Sequence, residues 1–184
     1  MNMRKMRRRS SAELPDAALL EQWMDAYGQD VIRLAYSYVH NYHKAEDIAQ
    51  DVFLRAWQNY ANFQGQSSIK TWLLAIAANR AKDVLRSWSA RHELIDSGEV
   101  LTSLPVTHDT AHIVEERLER DEVWRAVRNL PQMYREVVEL YYGNDLSSAE
   151  IASVLGITDQ TVRTRLHRGR LLLQKALTRE GEGR

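Results

Sequence analysis

The 184-residue sequence predicts an all-α protein. It reads as two small helical domains, the C-terminal one containing a helix-turn-helix, joined by a flexible linker. Three observations carry that prediction. Only eight glycines and three prolines occur, and β-branched runs are scarce, so little interrupts a helix and little favours a strand. Apolar residues recur at three- and four-residue spacing through long segments. The period then fails over "HELIDSGEVLTSLPVTHDTAH" (92–112), where Gly98, Pro105 and many Ser, Thr and Asp residues read as a connector. The expected division is a basic tail (1–15), a first helical domain (16–91), a linker (92–114) and a second helical domain (115–180).

The composition excludes several classes. There is no cysteine, which removes disulfides and thiolate metal sites and fits a reducing compartment. No apolar run approaches the roughly 20 residues that cross a bilayer. The N-terminal "MNMRKMRRRSS" is basic but leads into no apolar signal core. A soluble cytoplasmic protein without membrane insertion is expected.

Net charge is zero only as an average, 25 Lys and Arg against 25 Asp and Glu. Residues 69–91 hold Lys70, Arg80, Lys82, Arg86 and Arg91 against Asp83. Residues 156–179 hold Arg163, Arg165, Arg168, Arg170, Lys175 and Arg179 against Asp159. Between these zones, residues 92–122 hold nine acids against Arg117 and Arg120. Clustered Lys and Arg are the footprint of a polyanionic partner, although single charge runs are more often solvated faces.

In chain order, residues 16–90 read as three helices. The middle one, "AEDIAQDVFLRAWQNY" (45–60), has an apolar side of Ala45, Ile48, Ala49, Val52 and Ala56. Asp47, Gln50, Asp51, Leu54 and Trp57 gather on the other side. That face is acidic yet carries a leucine and a tryptophan. It suits a protein partner, or it packs on a neighbouring helix; the residues alone allow both. Next, "NFQGQSS" (62–68) is a loop of Gly and small polar groups, able to close over an extruded base or simply to connect two helices. The helix after it, "IKTWLLAIAANRAKDVLRSW" (69–88), has Leu73, Ile76, Ala77, Val84 and Trp88 as its buried stripe. Trp72, Ala75, Asn79, Lys82 and Arg86 share its outer face. An aromatic ring beside an amide and cations offers stacking and phosphate neutralisation to unpaired bases.

The second domain opens with "RDEVWRAVRNLPQMYREVVELYY" (120–142), two helices with Pro131 at the start of the second. Val123, Val127, Leu130, Val137, Val138 and Leu140 are the expected core. "SAEIASVLGITDQTVRTRLH" (148–167) matches a helix-turn-helix at every position. Ala152 is the small contact, Gly156 the turn, Ile151, Leu155, Ile157 and Val162 the apolar pins. Ser147 or Ser148 caps the first helix and Thr158 the second. On the second helix Val162, Leu166 and Leu173 face inward. Gln160, Thr161, Arg163, Thr164, His167 and Arg168 face outward or flank that stripe, as a helix entering the major groove requires. Gln160, Arg163, Thr164 and His167 are the candidate base readers.

Three stretches, "AEDIAQDVFLRAW", "NFQGQSSIKTWLLAIAANRAKDVLR" and "LPQMYREVVELYYGNDLSSAEIASVLGITDQTVRTRLHRGRLLLQKAL", resemble the bacterial RNA polymerase sigma factors of the small extracytoplasmic-function group. The resemblance covers about residues 20–90 and 115–178. It implies conserved regions two and four without a large region three. It implies that Asp47, Gln50, Asp51, Phe53, Leu54 and Trp57 dock on core RNA polymerase. Asn62, Phe63, Gly65, Ser67, Ser68, Lys70, Trp72, Asn79, Arg80, Lys82 and Arg86 would melt and read the promoter's minus-ten element. Thr158, Gln160, Thr161, Arg163, Thr164, Arg165, His167 and Arg168 would read the minus-thirty-five element. The implied partners are core polymerase, promoter DNA and, as in many relatives, an anti-sigma factor; no cofactor is implied. The tail "MRKMRRR" departs from the compact family pattern; it is extra DNA contact, a leader, or a sign that Met3 or Met6 is the true start.

Three other readings compete. A dimeric helix-turn-helix regulator explains 148–167 equally well but leaves the Trp72/Lys82 and Asp47/Trp57 faces without a purpose. A nucleic-acid enzyme finds no support in the six histidines (40, 43, 92, 108, 112 and 167), which form no HExxH pair; His108 and His112 have no third ligand in view. An adaptor using only the acidic helix face would leave both basic zones unused.

Overall fold

The computed structural model describes residues 17–93 and 122–182. The basic tail, most of the predicted linker, and His108 and His112 lie outside the described residues. All regular structure among the described residues is helical: α1 (Ala17–Val39), α2 (Tyr42–Asn59), a short 3-10 turn (Tyr60–Asn62), α3 (Ile69–Glu93), α4 (Glu122–Arg128), α5 (Gln132–Val138) continuing into one π turn (Glu139–Gly143), α6 (Ser148–Leu155) and α7 (Asp159–Glu182).

Local chemistry sets the boundaries. After α1, His40 takes φ +49 and its N–H donates to the Tyr36 carbonyl at 2.9 Å, closing the helix. Asn41 then caps α2, its Oδ1 accepting from the Lys44 N–H at 3.0 Å. Ser68 starts α3 by accepting from the Thr71 N–H at 3.0 Å. Pro131 precedes α5, where a missing N–H costs nothing, and its carbonyl accepts from Tyr134 and Arg135.

α1, α2 and α3 form one helical group. α1 contributes Trp23, Val31, Leu34, Ala35, Tyr38 and Val39 to its core; α2 contributes Ala45, Ile48, Ala49, Val52, Phe53 and Ala56. The small residues on α2 let the helix backbones approach closely. α4 to α7 form a second group around Val127, Leu130, Val137, Val138, Leu140, Ile151, Val154, Val162 and Leu166. Val123, expected in that core, is 46% exposed: α4 is a single short helix that turns this side to solvent.

The two groups pack on each other. α3 lies against α6, and α1 lies against α5 and the π turn, so the buried apolar cluster runs continuously through both. This explains a second discrepancy. Leu73 and Ala77 are fully buried as expected, but so are Leu74, Ala78 and Ala81, and Thr71 is nearly so. Thr71, Ala75, Ala78 and Lys82 fall on one stripe at helical spacing. Thr71 and Lys82 both contact the second group, so that stripe is the side of α3 that the second group covers. Ile76, Val84 and Trp88 are only half-buried; the Lys44 Nζ sits 3.2 Å over the Trp88 ring.

Two titratable groups, the buried Glu139 and the half-buried His40, have opposed effects. Burial pushes the Glu139 carboxyl up to about 7, against the pull of Arg33. Burial, aided by Arg135 and Arg128, holds His40 down at about 4. The folded chain therefore keeps Glu139 protonated where the unfolded chain does not, and stability falls as pH rises from about 4.5 to 7. His40 acts in the other sense: the unfolded chain holds its proton longer, so stability rises with pH from about 4 to 6.5. We predict that Glu139→Gln removes the falling component. Urea titrations of variant and parent at pH 5 and pH 8 should show the variant gaining relative stability at the higher pH, at up to roughly 1.4 kcal/mol per pH unit crossed.

Candidate nucleic-acid and polymerase interfaces

The helix-turn-helix is specified by side chains that close its backbone. Ser147 and Glu150 form a capping box: Ser147 Oγ accepts from the Glu150 N–H, and the Glu150 carboxylate accepts from the Ser147 N–H at 2.9 Å and hydroxyl at 2.7 Å. Those bonds hold the Glu150 carboxyl below its ordinary range. Gly156 takes φ +66, a left-handed turn that a Cβ would strain. Thr158 caps α7 by accepting from the Thr161 N–H at 3.1 Å. α7 then buries Val162 and Leu166. Gly169 was not singled out from sequence, yet it is buried where a Cβ would stand 3.0 Å from Val138 Cγ2. The signal was available: a glycine in register with Val162 and Leu166 on an otherwise strong helix.

This packing presents Gln160, Arg163, Thr164, His167 and Arg168 to solvent, with Thr161 half-buried. Arg163 pairs with Asp159 at 2.8 Å one turn earlier; the pair is exposed and weak, so a phosphate or base can displace it. Arg165 differs. It is 21% exposed and donates to Glu136 on α5 at 2.9 Å. A shallow depression beside Gln160, Thr164 and Arg168 is completed by Met133 and Tyr134 of α5. Sequence reading missed both, because only the fold brings the start of α5 beside α7.

On the first group, the loop after α2 turns through Gly65 at φ +69 and exposes Asn62 and Ser68, with Ser67 half-buried. Phe63 leans on Trp72, ring centroids 4.8 Å apart; Trp72 meets Trp23 edge-on at 6.4 Å, and Trp23 meets Tyr60 at 5.1 Å. Trp72 is thus half-buried at the rim of an aromatic cluster, which anchors the loop through Phe63. The cations of this face are engaged within the chain: Lys70 with Asp30 at 2.8 Å, Arg80 with Asp51 at 2.5 Å, Lys82 with Glu136 at 3.2 Å, Arg86 with Asp83 at 2.8 Å. Asn79 is exposed.

On α2, Asp47, Gln50 and Leu54 are exposed, Leu54 by 50%, so Leu54 does not pack on a neighbouring helix. Trp57 is half-buried, and Asp51 bridges Arg55 of α2 and Arg80 of α3. Phe53 corrects the expected docking surface: it is 3% exposed and belongs to the core, one position round the helix from Leu54. Among the described residues, no group of three or more His, Cys, Asp or Glu side chains could hold a metal, and no helix is long and apolar enough to cross a membrane.

Residues 23–92 match the family model described as Sigma-70 region 2, and residues 120–173 match Sigma-70, region 4. The chain is 34% identical over 163 residues to the ECF RNA polymerase sigma factor SigW of Bacillus subtilis, covering 84% of this chain and 86% of that protein. It is 32% identical to the RNA polymerase sigma-H factor of Pseudomonas aeruginosa, covering 82% of each. Among solved structures its fold is similar to that of the sigma factor RpoE, in complex with the anti-sigma factor NepR from Bartonella quintana. The TM-score is 0.65 at 22% identity, over 86% of this chain and 96% of that one.

Replacing Ser147 by Ala removes the reciprocal cap of α6. A loss of about 1 kcal/mol in unfolding free energy is expected, read by urea denaturation at neutral pH.

Proposed function

The chain belongs to the sigma-70 family of RNA polymerase sigma factors, in its extracytoplasmic-function group, which directs RNA polymerase to promoters, and on that premise we propose how this chain divides the task. α7 reads the minus-thirty-five element as duplex, through Gln160, Arg163, Thr164 and His167, with Thr158, Thr161, Arg165 and Arg168 on the flanking backbone. The α3 face and the 62–68 loop capture unpaired bases of the minus-ten element, with Trp72 and Phe63 as the stacking surface and Lys70, Arg80, Lys82 and Arg86 toward phosphate. Asp47, Gln50, Leu54 and Trp57 form the polymerase-docking face. A single anti-sigma protein is a further partner of this reading, by likeness to the RpoE–NepR complex.

One observation carries the reading: the exposed polar face of α7, set opposite the buried Val162 and Leu166 and positioned by a capped helix-turn-helix. No chemistry is performed on the nucleic acid. Stacking and phosphate contacts captured on one strand offset the few kcal/mol that extruding each base costs. Each module offers a small contact, so specific binding depends on polymerase holding both at one separation.

Two measurements test this. In run-off transcription, core polymerase should initiate at a promoter only when this chain is added, and gel shifts should find specific promoter binding only with core present; tight specific binding by the chain alone sinks the reading. Arg163→Ala should cost about 1–3 kcal/mol of discrimination at a single base pair of the minus-thirty-five element. Trp72→Ala should leave closed-complex formation in place and reduce permanganate reactivity of the minus-ten bases.

A further inference from the structure

The depression beside the reader helix holds an apolar side chain that the helix-turn-helix does not supply. Met133, on the first turn of α5, is 44% exposed and lines it together with Tyr134, Thr164 and Arg168. A single exposed methionine means little by itself; its position carries the inference. α5 is fixed to α7 within the second helical group. Arg165 donates to Glu136 at 2.9 Å. Gly169 lets the two helices close up where a Cβ would stand 3.0 Å from Val138 Cγ2 and 3.6 Å from Tyr134 Cβ. Met133 is therefore carried with the reader helix as part of one packed unit.

The chemistry of the depression selects its occupant. The Thr164 hydroxyl donates to the Gln160 carbonyl at 2.9 Å, and the Thr158 and Thr161 hydroxyls bond each other at 2.8 Å. Both threonines lining the depression are thus already engaged within α7. What meets a ligand is an apolar patch, with the exposed Gln160 at one end and the exposed Arg168 two turns further along α7. In the major groove the apolar feature of the base edges is the thymine C5-methyl. That methyl lies at the margin of the groove, next to its own strand's backbone. A side chain that senses it belongs between a base-reading group and a phosphate-holding cation. On the function proposed above, on which this inference rests, Gln160 reads a base and Arg168 holds a phosphate, and the depression lies between them. We propose that Met133 is a further specificity-determining residue. Its thioether packs on the C5-methyl of one thymine of the minus-thirty-five element, so that α5 as well as α7 reads sequence. Methionine suits the contact because its unbranched, polarisable side chain adapts to the shape it meets.

The test uses the full chain with core polymerase, on a promoter at which run-off transcription shows initiation. Each thymine of either strand, across the minus-thirty-five element and the base pairs flanking it, is replaced singly by deoxyuridine. That base lacks only the C5-methyl and keeps every hydrogen-bonding group. Gel-shift titrations at fixed salt report affinity. At one position the replacement should weaken binding by the parent about fourfold, what burying one methyl-sized group supplies. Met133→Ala should bind the thymine promoter more weakly by a similar factor and lose the deoxyuridine penalty at that position alone. Met133→Leu, still apolar, should restore the penalty, and Met133→Gln should not. Folding is checked by the urea midpoint, and Met133→Gln supplies the reading if Met133→Ala loses stability. A parent that tolerates deoxyuridine at every position overturns the proposal. So does a penalty that survives in Met133→Ala, because another side chain then reads that methyl. Run-off transcription by the parent is scored first: no initiation sinks the sigma reading and this proposal with it, while initiation with a flat deoxyuridine series sinks the role of Met133 alone.

Discussion

The architecture depends on α3 being covered from two directions. One side, through Leu73 and Ala77, closes the first helical group; the adjacent stripe, from Thr71 through Ala78 to Lys82, receives α6 of the second. Alanine makes this possible. Ala77, Ala78 and Ala81 are fully buried, and their short side chains allow two sets of neighbours to approach one backbone. The same helix keeps a third side for solvent, with Asn79 and Arg86. Core element, docking surface and the proposed nucleic-acid face are thus rotations of one helix.

The charge balance follows from that geometry. An excess of cations at two places in the sequence suggests that their counter-charges lie on another molecule. In the free chain many of them are answered internally, by Asp30, Asp51, Asp83, Asp159 and Glu136. The exposed pairs, Arg86 with Asp83 and Arg163 with Asp159, are worth little. The buried one at Glu136 is the exception, because there two donors, Tyr38 and Lys82, depend on docking.

Most of the fold was legible in the sequence. Helix periodicity, the Ser147 and Thr158 caps and the Gly156 turn are local properties, written in residues three or four apart. Contacts between distant segments were not. Periodicity marks one apolar stripe on α3 and is silent about a second stripe of small residues, which reads as neutral until a partner helix arrives. Phe53 was assigned to the polymerase surface by resemblance, while the 100° step between it and Leu54 turns it inward. Val123 was assigned to the core on its side-chain type alone. Of the candidate site, the α7 face was legible because a reader helix needs its polar residues at fixed offsets. The ties of Lys82 and Arg165 to Glu136 were not, since they span up to 54 residues of chain with no local signature.

Glu150 illustrates how tightly such a chain is written. One carboxylate closes the first turn of α6 onto Ser147 and also receives the hydroxyl of Thr71 from the other helical group. A change at that position is felt in secondary structure and in docking at once. Removing that one carboxylate therefore takes away the reciprocal cap of α6 and the reach of Thr71 across the groups together.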